Sequence, residues 1–214
     1  MISVLIPFRG DGAQRDRLWA HCRNLWAQLP VELVVGEDSG DAPFNVSRAF
    51  NDAASRASGD IFMLYGADQL PDLDRILWAS EQLETHAWCA LYAGTGAYSQ
   101  ASTEALLNGY GWDRAVFDQW APFCTGILAV TRETWADVNG MDERFFGWGC
   151  EDVALRVALT TLHGDTPEPS GNLRCLWHPA ASRERFDANA AMIGAYDVAA
   201  SDPELMRELI AGNR

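Results

Sequence analysis

The sequence predicts an α/β fold in which a mostly parallel central sheet is flanked by helices and the whole chain, 1–214, forms a single domain. Three observations carry this. Apolar runs at 2–7, 31–35 and 61–65 have the length and two-faced hydrophobicity of buried parallel strands. Between them lie segments whose apolar residues recur at helical spacing, the alternation of βαβ units. The length of 214 residues, with no linker, repeat or low-complexity tract, suits one core.

The run Ile2-Ser3-Val4-Leu5-Ile6-Pro7 is the first strand, and Leu18, Cys22, Leu25, Trp26 and Leu29 form the inward stripe of the helix after it. The second strand, 31–35, ends at Gly36-Glu37-Asp38-Ser39-Gly40. A second helix, capped near Asn45 or Ser47, turns Ala49, Phe50, Ala53, Ala54 and Ala57 inward until Ser58-Gly59 stops it. After the third strand, 61–65, a helix over 73–83 begins at the cap residue Asp72, and a strand follows around 88–92. The Gly-, Ser-, Tyr- and Trp-rich stretch 93–118 reads either as a binding loop or as a connection. Further on, 123–130 reads as a strand, 132–138 as a short helix, 153–162 as an amphipathic segment and 186–198 as a helix; Ser201-Asp202-Pro203-Glu204 starts the last one. Ligands of such a sheet sit at the carboxyl ends of its strands, where Arg9, Glu37, Asp38 and Asp68 fall.

Composition removes several chemistries. A net charge of −14 disfavours a broad phosphate-binding face, so nucleic acid is not expected as the main partner. All 16 basic residues are arginine, which excludes a Walker lysine, a pyridoxal Schiff base and a lysine nucleophile. The five cysteines are odd in number, scattered and without CxxC spacing, as expected of reduced core thiols. No apolar run of about 18 residues and no basic leader occurs, so the expectation is a protein without membrane span or signal peptide, placed in the cytoplasm. No GxGxxG follows the first strand, against a dinucleotide-dependent dehydrogenase.

The most informative stretch is Gly147-Trp148-Gly149-Cys150-Glu151-Asp152. Its glycines permit positive φ and rearrangement, its indole offers a flat face to a sugar or nucleotide, and its two carboxylates open a helix where negative charge is favoured. That suits a catalytic base beneath a mobile lid. Acidic residues in a first turn also serve as plain dipole partners, and an indole also serves as a core anchor.

Three ordered segments resemble the nucleotide-sugar glycosyltransferases of GT-A fold, in particular the inverting β-galactosyltransferases and chondroitin-polymerase-like enzymes. They are Ile6-Pro7-Phe8-Arg9, with Arg15 and Arg17 behind it; Phe44-Asn45-Val46-Ser47-Arg48 with 61–71; and Asn139-Gly140-Met141-Asp142 leading to the 147–152 stretch, with Trp177-His178-Pro179 downstream. The resemblance implies a UDP-sugar donor, Mn²⁺ (or Mg²⁺) held by Asp68 and His178, Asp152 as general base, and Glu151 bonding the donor sugar or acceptor, with exchange of the two carboxylate roles left open. It further implies donor contacts from Pro7, Phe8, Arg9, Glu37, Asp38, Arg48, Ala67 and Trp148, the last as a lid. The nucleotide-binding half would be about 1–92 and the acceptor half about 93–214. Where that family has Asp-x-Asp, this chain has Gly66-Ala67-Asp68 and keeps only the final carboxylate. A cation is needed because negative charge grows on the departing diphosphate, and a single displacement by a deprotonated hydroxyl inverts the anomeric carbon. The alternatives are a non-catalytic nucleotide-sugar-binding module and a nucleotidyltransferase on a related scaffold. The acceptor, whether glycan, lipid carrier, protein or modified base, has no readable signature in the sequence.

Overall fold

The protein is described by a computed structural model covering residues 1–38, 43–111 and 115–213. Its elements are β1 (Ile2–Pro7), α1 (Gln14–Trp26), β2 (Glu32–Gly36), α2 (Val46–Arg56), β3 (Ile61–Leu64), α3 (Leu73–Gln82), β4 (Trp88–Ala90), β5 (Gly94–Tyr98), α4 (Gln100–Leu107), β6 (Phe117–Ala121), β7 (Leu128–Thr131), α5 (Arg132–Asp137), α6 (Glu151–His163), β8 (Asn172–Cys175), α7 (Phe186–Ala199) and α8 (Pro203–Ile210). The central sheet has the order β2-β1-β3-β7-β4. Strand β1 is parallel to β2 and β3, whereas β7 is antiparallel to both of its neighbours. Hence β4 runs with the first three strands and only β7 is reversed, which is the expected mostly parallel sheet with one inverted member.

Period-two alternation distributes the strand side chains between two apolar layers. Leu5, Phe62, Leu64, Trp88, Ala90, Leu128 and Val130 pack toward α2, α6 and the C-terminal helices. Their neighbours Val4, Ile6, Met63, Cys89 and Ala129 pack toward α1, where Leu18, Trp19, Cys22 and Trp26 meet them. Full burial of one such Leu or Ile contributes about 2 kcal/mol. Gly36 ends β2 because α2 lies against it: a Cβ there would fall 1.8 Å from the Ala49 carbonyl oxygen.

Two caps are as expected. Asn45 accepts from the Arg48 N–H at the start of α2, and Asp72 accepts from Asp74 and Arg75 at the start of α3. The stretch 93–118 departs from the single loop or connection expected of it, holding β5, α4 and the start of β6, with Ser99 capping α4. A second sheet, β6-β5-β8, is built there, with β8 parallel to β5. The expected strand over 123–130 begins only at Leu128. Ile127 still accepts from the Leu91 N–H at 3.1 Å, whereas before it the Cys124 carbonyl is taken by the Arg156 guanidinium at 3.2 Å and the Thr125 hydroxyl turns to Asp152. Ser39 and Gly40 of the expected turn lie outside the described residues. All five cysteines are free thiols and four are buried. No helix among the described residues is long and apolar enough to cross a membrane.

Candidate active site

Register places the first wall of the site. Leu5 pairs with Leu64 and the Tyr65 N–H bonds to the Leu5 carbonyl at 3.1 Å, so Pro7-Phe8-Arg9 leave the sheet beside Gly66-Ala67-Asp68. Pro7, Phe8, Arg9, Ala67, Asp68 and His178 line one cleft there, together with Arg15 and Phe44. It adjoins a second hollow that shares Arg15, Phe44 and His178 and reaches Trp148.

His178, 110 positions from Asp68 in sequence, arrives through the second sheet. The Leu70 N–H bonds to the Arg174 carbonyl at 3.0 Å and the Leu176 N–H to the Asp68 carbonyl at 2.9 Å, tying the end of β8 to the turn after β3. His178 Nδ1 is 2.8 Å from the Pro179 carbonyl oxygen. A carbonyl only accepts, so Nδ1 carries a hydrogen toward it, and Nε2 is the ring nitrogen that faces Asp68. That Nε2 lies 3.6 Å from Asp68 Oδ2. An imidazole nitrogen and a carboxylate oxygen are thus brought side by side on the cleft wall. Burial raises the Asp68 carboxyl above its usual value, opposed by His178 and Arg15. Among the described residues no group of three or more His, Cys, Asp or Glu is placed to hold a metal ion together.

The other strand-end residues divide sharply. Asp38 is buried beneath two arginines: Arg9 Nη2 lies 2.8 Å from Oδ2, Arg48 Nη1 lies 2.9 Å from Oδ1, and the Asn45 N–H adds a bond at 2.9 Å. Arg48 also reaches Glu143 at 3.4 Å, and neither Arg48 nor Asp38 lines the cleft. Arg9 lines it while holding Asp38, with its guanidinium 5.3 Å from the Phe44 ring centroid. Glu37 is exposed and also lies outside the cleft wall. At the position of the missing carboxylate, the Gln69 side chain folds back and accepts from the Gly66 N–H at 2.6 Å.

The Trp148 loop enters α6 through three left-handed residues, Gly147 (φ 75°), Gly149 (φ 102°) and Cys150 (φ 77°). Asn189, fully buried on α7, turns its amide hydrogens toward the loop carbonyls of Phe146 (3.3 Å), Trp148 (3.4 Å) and Gly149 (2.9 Å). The Trp148 indole is 41% exposed, with the Arg183 guanidinium 4.4 Å from its centroid, so it is no core anchor. Glu151 and Asp152 follow at the first turn of α6 and do not line either hollow. Asp152 Oδ2 accepts from the Thr125 hydroxyl and Oδ1 from the Val153 N–H at 2.8 Å. Glu151 Oε2 is buried with no hydrogen-bond partner. Burial, and then the charge of Asp152, push the Glu151 carboxyl up to about 7. Sequence reasoning missed Thr125, Phe44 as a cleft wall and Asn189; only Phe44 had a signal, as the neighbour of the capping Asn45.

Residues 116–178 match a family model described as the N-terminal domain of galactosyltransferase. The chain is 25% identical over 186 residues to β-1,4-galactosyltransferase 4 of Rattus norvegicus, an alignment covering 83% of this chain and 48% of that protein. It is 26% identical over 177 residues to human β-1,4-galactosyltransferase 5, covering 80% and 40%. The chain thus spans about half the length of these relatives or less. Among solved structures it is similar to glucosyl-3-phosphoglycerate synthase from Mycobacterium tuberculosis in complex with Mn²⁺ and UDP-glucose, with a TM-score of 0.55, 14% identity, and coverage of 94% of this chain and 79% of that one. At that identity the likeness is one of fold. The chain has the GT-A fold of the nucleotide-sugar glycosyltransferases and is related in sequence to the β-1,4-galactosyltransferases.

Proposed function

We propose that the protein is an inverting, metal-dependent glycosyltransferase that moves a sugar from a UDP-sugar to an acceptor hydroxyl. The observation that carries this reading is the juxtaposition of His178 Nε2 and Asp68 Oδ2, 3.6 Å apart, inside a cleft at the carboxyl ends of β1 and β3. These two residues would hold Mn²⁺ or Mg²⁺. The bound ion supplies charge compensation as the diphosphate leaves. Pro7, Phe8, Arg9 and Ala67 form the donor wall, and Arg15 adds a guanidinium to it. Trp148 stands over the neighbouring hollow as the lid. Asp152 is the general base, its carboxylate oriented by two donors. Glu151 is the hydrogen-bonding partner of the sugar or acceptor, near neutrality able to present an O–H as well as an acceptor oxygen.

Within this reading the nucleotide is held by about 1–92 and the acceptor by about 93–214. The buried thiols suit the cytoplasm as the working compartment. The acceptor carries a hydroxyl and belongs to the glycans, lipid carriers, proteins or modified bases. One observation favours a second reading, a binding module without turnover: Gly66 stands where the resembling enzymes carry a carboxylate. The deciding experiment is UDP release from a panel of UDP-sugars with Mn²⁺ or EDTA, on the wild type, Asp68→Ala and Asp152→Asn. Release that needs the metal and both carboxylates is expected. Tight donor binding with no release from any donor, even with acceptors present, would replace the transferase by the binding module, and absence of metal-dependent UDP binding would sink both.

A further inference from the structure

We infer that Thr125 is a positioning residue of the transfer reaction, its hydroxyl fixing the carboxylate that takes the acceptor proton. This rests on Asp152 being the base. The Thr125 hydroxyl donates to Asp152 Oδ2, across 27 positions of sequence and from a different element. The Val153 N–H donates to Oδ1 at 2.8 Å. One donor on each oxygen fixes the plane of the carboxylate, and since each carboxylate oxygen accepts two hydrogen bonds, one lone pair remains on each for an incoming hydroxyl.

Thr125 is itself held in place. It belongs to the connection from β6 to β7, where the preceding carbonyl, of Cys124, accepts from Arg156 Nη1 at 3.2 Å and the carbonyl before that, of Phe123, accepts from the Thr95 hydroxyl at 3.3 Å. Arg156 in turn lies with its guanidinium 5.8 Å from the Trp88 ring centroid. On the following side Gly126 leaves room beside the base, where even a Cβ would come to van der Waals contact, 3.5 Å from the Asp152 side chain. The connection is thus clamped both to α6 and to the second sheet, and the hydroxyl transmits that rigidity to the carboxylate. The branched Cβ of threonine restricts χ1 and keeps the hydroxyl aimed.

In the displacement, the acceptor O–H bond breaks as its oxygen bonds to the anomeric carbon. The proton passes to Asp152, and the electrons of the anomeric C–O bond leave with the diphosphate. Thr125 keeps its own proton throughout. It contributes orientation and a dipole directed at the base, so its loss acts on the chemical step and leaves donor binding untouched.

The test compares the wild type with Thr125→Val, which keeps the shape and removes the hydroxyl, with Thr125→Ser, which restores the hydroxyl, and with Asp152→Asn. Two readouts are used: steady-state UDP release from UDP-galactose with MnCl₂, water serving as acceptor, and the ¹³C resonance of the Asp152 carboxyl, assigned by its loss in Asp152→Asn. In Thr125→Val, kcat is expected to fall by about tenfold or more with the donor KM within about twofold, in line with the sensitivity of such steps to small displacements. The carboxyl resonance is expected to move, and Thr125→Ser is expected to bring back both the resonance and most of the rate. Unchanged kcat in Thr125→Val, or a resonance that stays in place, overturns the inference. Wild-type turnover in Asp152→Asn overturns the base assignment itself and the inference with it. Should UDP-galactose not be turned over by the wild type, the resonance alone decides whether the hydroxyl holds the carboxylate.

Discussion

His178 Nε2 and Asp68 Oδ2 face each other at 3.6 Å, the imidazole hydrogen being committed to the Pro179 carbonyl on the opposite side of the ring. A sequence separation of 110 is closed by two backbone hydrogen bonds between the end of β8 and the turn after β3. The ring is therefore held toward Asp68 by the fold itself.

Metal binding should depend on both residues. Asp68→Ala and His178→Ala are each expected to weaken Mn²⁺ binding by about tenfold or more, a loss of roughly 1.4 kcal/mol or greater. Electron paramagnetic resonance of free Mn²⁺, titrated in the presence of UDP, measures it. Equal affinity in either variant would remove that residue from the metal site.

Glu151 should make stability depend on pH in a predictable direction. Its folded carboxyl is raised to about 7 by burial and by Asp152, above the ordinary value of 4.5. A carboxyl raised in the folded state costs nothing while both states are protonated, and the destabilisation grows as pH climbs through the folded value. Glu151→Gln should therefore be about as stable as the wild type near pH 4.5 and more stable at pH 8, by on the order of 2 kcal/mol. Urea midpoints at the two pH values decide it, and a difference that is flat in pH would refute the assignment.

Asp142 anchors the C-terminal helices. Buried, it receives the Arg144 guanidinium at 2.7 Å and the Tyr196 hydroxyl at 2.9 Å, and that hydroxyl also touches Asn213 at 3.2 Å. The Tyr196 phenol is raised by burial and by the carboxylate beside it. Asp142→Ala leaves the buried Tyr196 hydroxyl without its carboxylate acceptor beside a half-exposed guanidinium, and is expected to cost about 2 kcal/mol in chemical denaturation. A loss below about 1 kcal/mol would show that the network is dispensable.

Asn189 should set the mobility of the Trp148 loop. Asn189→Ala removes the donors that face three loop carbonyls and should cost roughly 1–3 kcal/mol. It should also raise the rate of hydrogen exchange at Gly149 and Cys150 relative to α7. Exchange at those amides that matches the wild type would place the hold on this loop elsewhere.

The central layer of the fold was legible because its signals are local. Val4, Leu5 and Ile6 are apolar on both faces, and Asp72 and Asn45 cap helices three or fewer residues away. The second sheet was not legible. Its strand β5 carries Gly94 and Gly96, and β8 pairs with it from 78 positions away, so neither hydrophobic period nor propensity marks them. The same holds in the site: Asp68, Trp148 and Asp152 stand in recognisable motifs, whereas the roles of Asp38 as a buried counter-ion for Arg9 and Arg48, and of Thr125 beside Asp152, depend on pairings that only the folded chain creates.

The left-handed step at Cys150 has a geometric consequence for the acidic pair. It starts α6 at Glu151, and successive residues of an α-helix project about 100° apart around the axis. Neighbours in sequence are thereby sent into different surroundings, one with a buried oxygen that has no hydrogen-bond partner and the other onto a hydroxyl. Reversing the pair, by Glu151→Asp together with Asp152→Glu, would not exchange their duties; it would place a shorter arm at the first position and a longer one against Thr125. Inserting a single residue after Gly149 would turn the whole first turn and aim neither carboxylate at its present partner. The phase of one helix, set by one backbone torsion, is what makes two like charges chemically unlike.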